Sequence, residues 1–343
     1  TVDGTATLTG TANGQTVITV SLDGEGHYKV TLHGPVDHPR QGAQGADDVF
    51  GFDVGIQVSD GTETTESTIR INIQDDSPVA VDFEAGHVVE DDAGQITLGG
   101  NLREGGGNAF GADGAAKQGA LTYADVTATL NGESVNLEDY GSLVIDVETG
   151  EWTFTLDNDK DATQALAQGD QVEVSFEYTL TDADGDTDSG TVRFVIEGTN
   201  DAPVITPEDP NLPEGAAAVV ELSESGLEGG IEDGNTHHAV EATGTIGITD
   251  IDGDDLTVSL VAPEAGALFS NGEAITWSSE TVDGTATLTG TANGQTVITV
   301  TLDGEGNYTA TLHGPVDHPE QGAQGADDVF GFDVGIQVSD GKE

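Results

Sequence analysis

Short runs in which apolar and polar residues alternate dominate the chain. Thr5-Ala6-Thr7-Leu8, Val17-Ile18-Thr19-Val20, Thr68-Ile69-Arg70-Ile71-Asn72-Ile73, Val172-Glu173-Val174-Ser175-Phe176-Glu177-Tyr178 and Thr191-Val192-Arg193-Phe194-Val195-Ile196 all follow a period of two. Side chains two apart on an extended backbone share a face. Each run therefore predicts a strand with one face toward a core and one toward water, and its Val, Ile, Thr and aromatic content agrees. Turn dipeptides separate the runs: Asn13-Gly14, Asp23-Gly24, Asn131-Gly132, Asp184-Gly185, Asp252-Gly253 and Asn271-Gly272. One stretch, Ala162-Thr163-Gln164-Ala165-Leu166-Ala167, predicts a turn of helix suited to a crossover between strands. The pattern predicts an all-β protein of tandem antiparallel β-sandwich modules in a linear array, each of about seven short strands.

Self-similarity sets the module boundaries. Residues 1–61 recur as 281–341 with five differences, Ser21/Thr301, His27/Asn307, Lys29/Thr309, Val30/Ala310 and Arg40/Glu320, a period of 280. A weaker register lies inside that period at an offset of 124. It aligns Tyr28 to Leu32 with Trp152 to Leu156, Phe52 to Ile56 with Phe176 to Leu180, and Asp60-Gly61 with Asp184-Gly185. With one residue inserted in the second copy, Asp75-Asp76-Ser77-Pro78-Val79 aligns with Asn200-Asp201-Ala202-Pro203-Val204. The period thus holds two related modules joined by short Asp-Pro linkers. Residues 1–75 read as the C-terminal part of one module, 76–200 as a complete second module, and 201–343 as the first module again without its last strand. The repeat marks the chain as a window on a longer tandem array.

Charge changes this picture. The 343 residues include 64 Asp or Glu and 8 Lys or Arg, a formal net charge of -56. The scattered cations exclude phosphate neutralisation, so nucleic acid is not the partner. Anionic membrane surfaces are disfavoured too, and no apolar run approaches the roughly 20 residues that span a bilayer. Disorder is excluded because apolar residues make up 35 % of the chain and fall at strand spacing. A folded chain this acidic calls for neutralisation from outside, and divalent cations are the economical agent. With no Cys in the sequence, neither disulfides nor thiolate metal sites contribute.

The acids concentrate informatively in two turns, Asp182-Ala183-Asp184-Gly185-Asp186-Thr187-Asp188 and Asp250-Ile251-Asp252-Gly253-Asp254-Asp255. Alternating Asp in a tight turn gathers carboxylates on one side for a hard cation that takes six to eight oxygens at about 2.3–2.6 Å. The competing reading is that Asp and Gly favour turns on their own account. Neither turn is an EF-hand, since the twelfth positions are Arg193 and Val261. Sandwich topology brings other acids to the same places. At the first junction Asp37 and the linker pair Asp75-Asp76 meet Asp182, Asp184 and Asp186. At the second, Asn200 and Asp201 meet Asp250, Asp252, Asp254 and Asp340, with Glu90 and Asp157 or Asp159 approaching from the far end of the middle module. Pro78 and Pro203 restrict each linker, and a merely polar hinge is the alternative at both.

Catalysis finds little support. No Cys nucleophile and no Gly-x-Ser-x-Gly elbow are present, and nothing selects a carboxylate pair. His33 and His38, with their copies His313 and His318, read as surface residues, a transition-metal site at His33 and His38 being the weaker alternative.

Three stretches carry a family resemblance: Gly150-Glu151-Trp152-Thr153-Phe154-Thr155-Leu156-Asp157-Asn158, Gln164-Ala165-Leu166-Ala167-Gln168-Gly169 and, after the Asp-Gly turn, Gly198-Thr199-Asn200-Asp201-Ala202-Pro203-Val204. In this order they resemble the VCBS repeat of large type I secreted RTX adhesins. Segments 1–75 and 204–343 resemble a diverged relative in the same cadherin-like, immunoglobulin-like group, and Asp75-Asp76-Ser77-Pro78 departs from the Asn-Asp-Ala-Pro pattern. The resemblance implies Ca²⁺ between modules and an extracellular place on a bacterial cell surface. Leu212-Pro213-Glu214-Gly215 resembles the cadherin Pro-Glu-Asn segment, which implies that Glu214 serves a junction. The Gly-Gly-x-Gly-x-Asp nonapeptide of the RTX β-roll is absent from the sequence. The expected function is a calcium-rigidified, non-enzymatic extender whose partners are its neighbouring modules. The alternative is an adhesion module that itself grips a glycan or protein, with Trp152 and Trp277 the only tryptophans to offer it a platform.

Overall fold

The computed structural model describes residues 4–38, 49–213, 215–231, 239–318 and 329–342, and the chain divides into two compact units, Thr1–Thr199 and Asn200–Glu343. In the first unit β1 (Ala6–Ala12), β2 (Gln15–Leu22) and β3 (Tyr28–Leu32) form an antiparallel meander, and β4 (Val49–Ser59) and β5 (Thr64–Gln74) a long hairpin. The rest of that unit holds β6 (Phe83–Val89), β7 (Thr97–Asn101), β8 (Leu121–Leu130), β9 (Glu133–Val135), β10 (Gly141–Ile145), β11 (Glu151–Leu156), α1 (Asp161–Gln164), β12 (Gln171–Thr181) and β13 (Thr187–Glu197).

Two sheets, β10-β11-β7 and β6-β13-β12-β8-β9, enclose the main core. Their inner faces follow from the period-two pattern. Val172, Val174, Phe176, Tyr178 and Leu180 on β12 and Val192, Phe194 and Ile196 on β13 are all at most 1 % exposed. Between them Trp152 stacks on Phe194 at 6.0 Å and meets Phe176 edge-on at 5.6 Å. Aromatic pairs of this kind add about 0.5–1.5 kcal/mol each beyond their buried area. Trp152 is therefore a core residue and offers no ligand platform.

The sandwich is antiparallel except at one edge, where β6 runs parallel to β13 with Val192 opposite Phe83. The parallel pair covers the outer edge of β13 and leaves Gly190 against Val81 O and the Tyr178 ring. The helical turn begins one residue before the predicted stretch and ends at Gln164, because Ala165 leaves helical geometry at ψ 11°.

The second unit contains β14 (Val204–Thr206), β15 (Glu241–Thr245), β16 (Gly247–Thr249), β17 (Thr257–Val261), β18 (Phe269–Ser270), β19 (Glu273–Ala274), β20 (Thr276–Val282), β21 (Thr285–Ala292), β22 (Gln295–Leu302), β23 (Asn307–Leu312) and β24 (Gly335–Ser339). The sheet β15-β23-β22-β21-β20 packs against the pair β17-β24 through Val258, Leu260, Ala286, Leu288 and Leu302.

The repeated stretch exposes what packing adds to sequence. Ala6–Ala12 and Ala286–Ala292 are identical, yet Leu8 is 56 % exposed and Leu288 is fully buried. Leu288 is covered by Val258 and Leu260, which lie upstream of the repeated stretch.

Candidate metal centres

In the first unit, three stretches far apart in sequence converge. Asp182, Asp184 and Asp186 occupy the turn between β12 and β13. Asp182 Oδ1 accepts from the Gly185 and Asp186 N–H groups at 2.9 and 2.8 Å, and the Asp182 N–H donates to Asp186 O. The turn closes on Gly185 at φ 105°, a conformation open to glycine at no steric cost. These bonds consume one carboxylate oxygen of Asp182 and aim the other at its neighbours. The ligand atoms of Asp182, Asp184 and Asp186 lie within 4.8 Å of one another.

The linker arrives beside this turn. Asp75 follows β5 directly and is 8 % exposed, and Asp76 Oδ2 accepts from the Ala112 N–H at 2.8 Å. That bond, with the bridges Val79↔Ala109 and Ala115↔Asp182, lays residues 109–115 along the linker and brings Asp113 to Asp75 and Asp76. Gly111 is required here. Its φ is 73°, and a Cβ would stand 2.6 Å from Asp76 Oδ2. The third stretch supplies His38. Its N–H donates to Asp184 Oδ2 at 3.2 Å and its Nε2 donates to Ile73 O at 3.1 Å, while its ring meets Phe50 edge-on.

So much negative charge out of water shifts the acids. Burial, then its interaction with Asp184, pushes Asp182 up to about 7. Burial also acts to raise Asp184, but hydrogen bonds from the Asp182 carboxyl and the His38 N–H prevail and lower it. Burial followed by the charges of Asp184, Asp75, Asp76 and Asp37 raises Asp113 to about 6, and burial with Asp184 raises Asp75. Asp182 Oδ2, Asp184 Oδ1, Asp186 Oδ2 and Asp113 Oδ1 are buried with no hydrogen-bond partner. The described Lys and Arg ion pairs lie elsewhere, at Arg70–Asp53, Arg193–Glu84 and Lys342–Asp254. Buried anions without donors are costly unless a cation or a proton satisfies them.

The second unit repeats the arrangement with its own residues. Asp250, Asp252 and Asp254 lie between β16 and β17, with ligand atoms within 4.8 Å of one another. The Asp201 N–H donates to Asp252 Oδ2 at 2.8 Å, and Asn200 Nδ2 donates to Asp340 Oδ2 at 2.8 Å. The linker is thus fixed to both loops. Burial first, against the Asp201 N–H, raises Asp252, whereas the Asn200 amide and the Lys342 N–H lower Asp340. Asn200 Oδ1, Asp250 Oδ2 and Asp252 Oδ1 are buried without a hydrogen-bond partner. Lys342 Nζ stands 3.5 Å from Asp254 Oδ2, so this cluster carries one compensating cation.

Three further expected ligands lie in the first unit. Glu90 is 1 % exposed and its carboxylate accepts from Gln164 Nε2 at 3.2 Å and the Thr199 N–H at 3.0 Å, an arrangement that fastens β6 to the end of β13. Asp157 and Asp159 line an open groove of about 1010 Å³ with Ile96, Tyr123 and Leu143. None of these three enters an acidic cluster formed by the described residues. Asp37 is exposed and acts through its charge on Asp113. Glu214 lies outside the described residues. His33 bonds Thr19 Oγ1 on the exposed meander and is not grouped with His38. Asp113 joins the site beyond the expected set, and so does His38, which the sequence suggested as a metal ligand only in the weaker alternative with His33. Asp113 was visible as an Asp-Gly pair in a Gly-rich segment, but nothing in that segment indicates which element it will lie against.

Residues 75–195 match a family model described as a bacterial Ig domain. The span begins at Asp75 and runs through most of β13, so the matched part contains most of the first cluster. No curated protein matches the chain. Among solved structures, the Protocadherin GammaB4 extracellular domain is 14 % identical with a TM-score of 0.30, over 91 % of this chain and 45 % of that one. Mouse Protocadherin-24 EC1-3 is 12 % identical with a TM-score of 0.26, over 92 % and 78 %. Mouse Cadherin-23 EC22-24 is 16 % identical with a TM-score of 0.29, over 86 % and 80 %. The chain spans less than half of the first of these, and TM-scores of this size carry no argument about function. The fold is all-β and Ig-like, as the matched family and the two facing sheets agree.

Proposed function

We propose that the chain is a stalk segment of a bacterial surface adhesin in which Ca²⁺ stiffens the linkers between Ig-like modules. The observation that carries this reading is the set of buried, donorless carboxylate oxygens on Asp113, Asp182, Asp184 and Asp186 beside the linker pair Asp75-Asp76. Oxygen-only donors at this density suit a hard divalent cation. Without it, like charges drive the junction apart or force protons onto Asp182 and Asp113. With it, the same acids become a clamp joining residues from both sides of the linker. The cluster of Asp250, Asp252 and Asp254 with Asn200 and Asp201 extends the mechanism to the next linker.

The matched bacterial Ig domain supports an extracellular structural or adhesion role. Among the described residues no helix is long and apolar enough to cross a membrane. The partners in this reading are neighbouring modules of the same chain, export follows type I secretion, and no reaction is catalysed. Calorimetric titration of the chelated chain with calcium tests the proposal, alongside solution scattering. The expected outcome is saturable binding that increases the maximum dimension and falls in Asp182→Ala and Asp201→Ala. Unchanged stoichiometry in both variants, or an unchanged envelope in the wild type, refutes it.

A further inference from the structure

His38 adds a donor that the calcium reading leaves unused. Its side chain is 4 % exposed and lies between Asp75 and Asp184, whose side chains are 2 % and 6 % exposed. Its Nε2 faces Ile73 O at 3.1 Å, and a carbonyl oxygen only accepts, so Nε2 carries the proton. The other nitrogen, Nδ1, points among anions: Asp75 Oδ1 at 3.1 Å and Asp184 Oδ2 at 4.0 Å. The shorter separation is within hydrogen-bond range, yet Nδ1 is a buried atom with no hydrogen-bond partner, because an N–H there would not point at the carboxylate. A buried lone pair without a hydrogen-bond partner, set among two carboxylate oxygens, is the arrangement of ligands around a shared cation.

We propose that His38 Nδ1, Asp75 and Asp184 form a site for a borderline divalent transition metal of the Zn²⁺ class, distinct from the oxygen-only acids of Asp182 and Asp186. Calcium takes oxygen donors, whereas imidazole selects Zn²⁺ and its neighbours. Ligand atoms about 2.0–2.1 Å from a tetrahedral zinc stand roughly 3.3 Å apart. The observed separations of 3.1 and 4.0 Å fit that shape with little movement. The bond from Nε2–H to Ile73 O has the form of the outer contact that fixes the tautomer of a metal-bound histidine. Ile73 also pairs with Phe50, the ring against which His38 stands, so the β4-β5 hairpin fixes both the tautomer and the tilt of the imidazole. Asp184 bridges the two chemistries: Oδ2 faces His38, while Oδ1 is the buried oxygen without a partner.

The test uses the full 343-residue chain, stripped of metal with chelator and titrated with Zn²⁺ at neutral pH. Long-range proton–nitrogen NMR reads the tautomer of each imidazole. In the metal-free wild type, His38 should carry its proton on Nε2 alone, and Zn²⁺ should move its Nδ1 to the shift of a coordinated nitrogen. By calorimetry, His38→Gln should weaken Zn²⁺ binding at this site by at least about 100-fold, the upper end of what losing even an outer-shell partner costs. Asp186→Asn separates the two readings, since it should weaken calcium and leave zinc unchanged. If His38 carries protons on both nitrogens and Zn²⁺ displaces neither, the imidazole is an ion-pair partner of Asp75 and the proposal fails. It fails equally if Zn²⁺ shifts only other histidines. Because the NMR readout needs no substitution, the wild-type spectra decide between these outcomes even if His38→Gln does not fold.

Discussion

Replacing Asp182 by Asn should reverse its effect on stability according to whether calcium is present. The Asp182 side chain is fully buried, and the oxygen that accepts from Gly185 and Asp186 survives in the amide, so the turn keeps its shape. The other oxygen becomes an NH₂ that can donate to Asp184, which removes a charge from the buried cluster. In chelator the variant should melt at the wild-type temperature or above it. In calcium it has lost an anionic ligand and placed a donor where a cation belongs. At free calcium 100 times Kd, binding stabilises the wild type by about 2.7 kcal/mol. A Kd raised about 100-fold, taken from the upper range for a disturbed metal site, removes about 2.3 kcal/mol of that. For a unit the size of Thr1–Thr199, each kcal/mol moves Tm by about 2–4 °C, so the variant should melt about 5–9 °C below wild type in calcium. Differential scanning calorimetry in calcium and in chelator reads both arms. An equal loss of Tm in the two conditions would show that Asp182 is only a turn former, and a wild type indifferent to calcium would remove the premise.

Further expectations follow from the same geometry. In chelator, stability should rise as the pH falls from about 7 to about 4. Asp182 and Asp113 have folded pKa values of about 7 and about 6 against an ordinary 3.8, so their stabilising contribution is complete below 3.8 and lost as the pH climbs through the folded values. The lowered pKa of Asp184 acts only below that window, and calcium should invert the slope because protons compete for its ligands. Gly111→Ala should cost about 1–2 kcal/mol from its positive φ alone and also weaken calcium binding by displacing Asp76, both read by melts with and without the ion. Leu288→Ala should cost about 2–5 kcal/mol in denaturant unfolding, whereas Leu8→Ala, at the identical position of the other copy, should stay within about 0.5 kcal/mol. Similar losses at both positions would show that the first meander is covered in solution.

Much of the architecture is written locally. Period-two runs became β12 and β13 with alternating burial, and Asn-Gly pairs such as Asn131-Gly132 became tight turns with both residues at positive φ. Such features depend on residues a few positions apart, which a sequence displays directly. The acidic turns were legible for the same reason, since Asp182, Asp184 and Asp186 lie within five residues of one another.

Identical sequences part company where long-range packing decides. Leu288 is buried with Val258 and Leu260, residues distant in sequence whose counterparts at the 280-residue period fall before residue 1, so Leu8 has the same local sequence without that cover. His38 read as a surface histidine and is buried, since the β4-β5 hairpin and the β12-β13 turn close around it. Asp113 joins the first cluster through one backbone bridge to Asp182 and one hydrogen bond to Asp76, while Asp157 and Asp159 turn instead to an open groove. Sequence by itself determined strand, turn and the supply of carboxylates, all set by local spacing. Only the tertiary structure decided which carboxylates lose water together, because desolvation and charge proximity depend on separation in space and not along the chain.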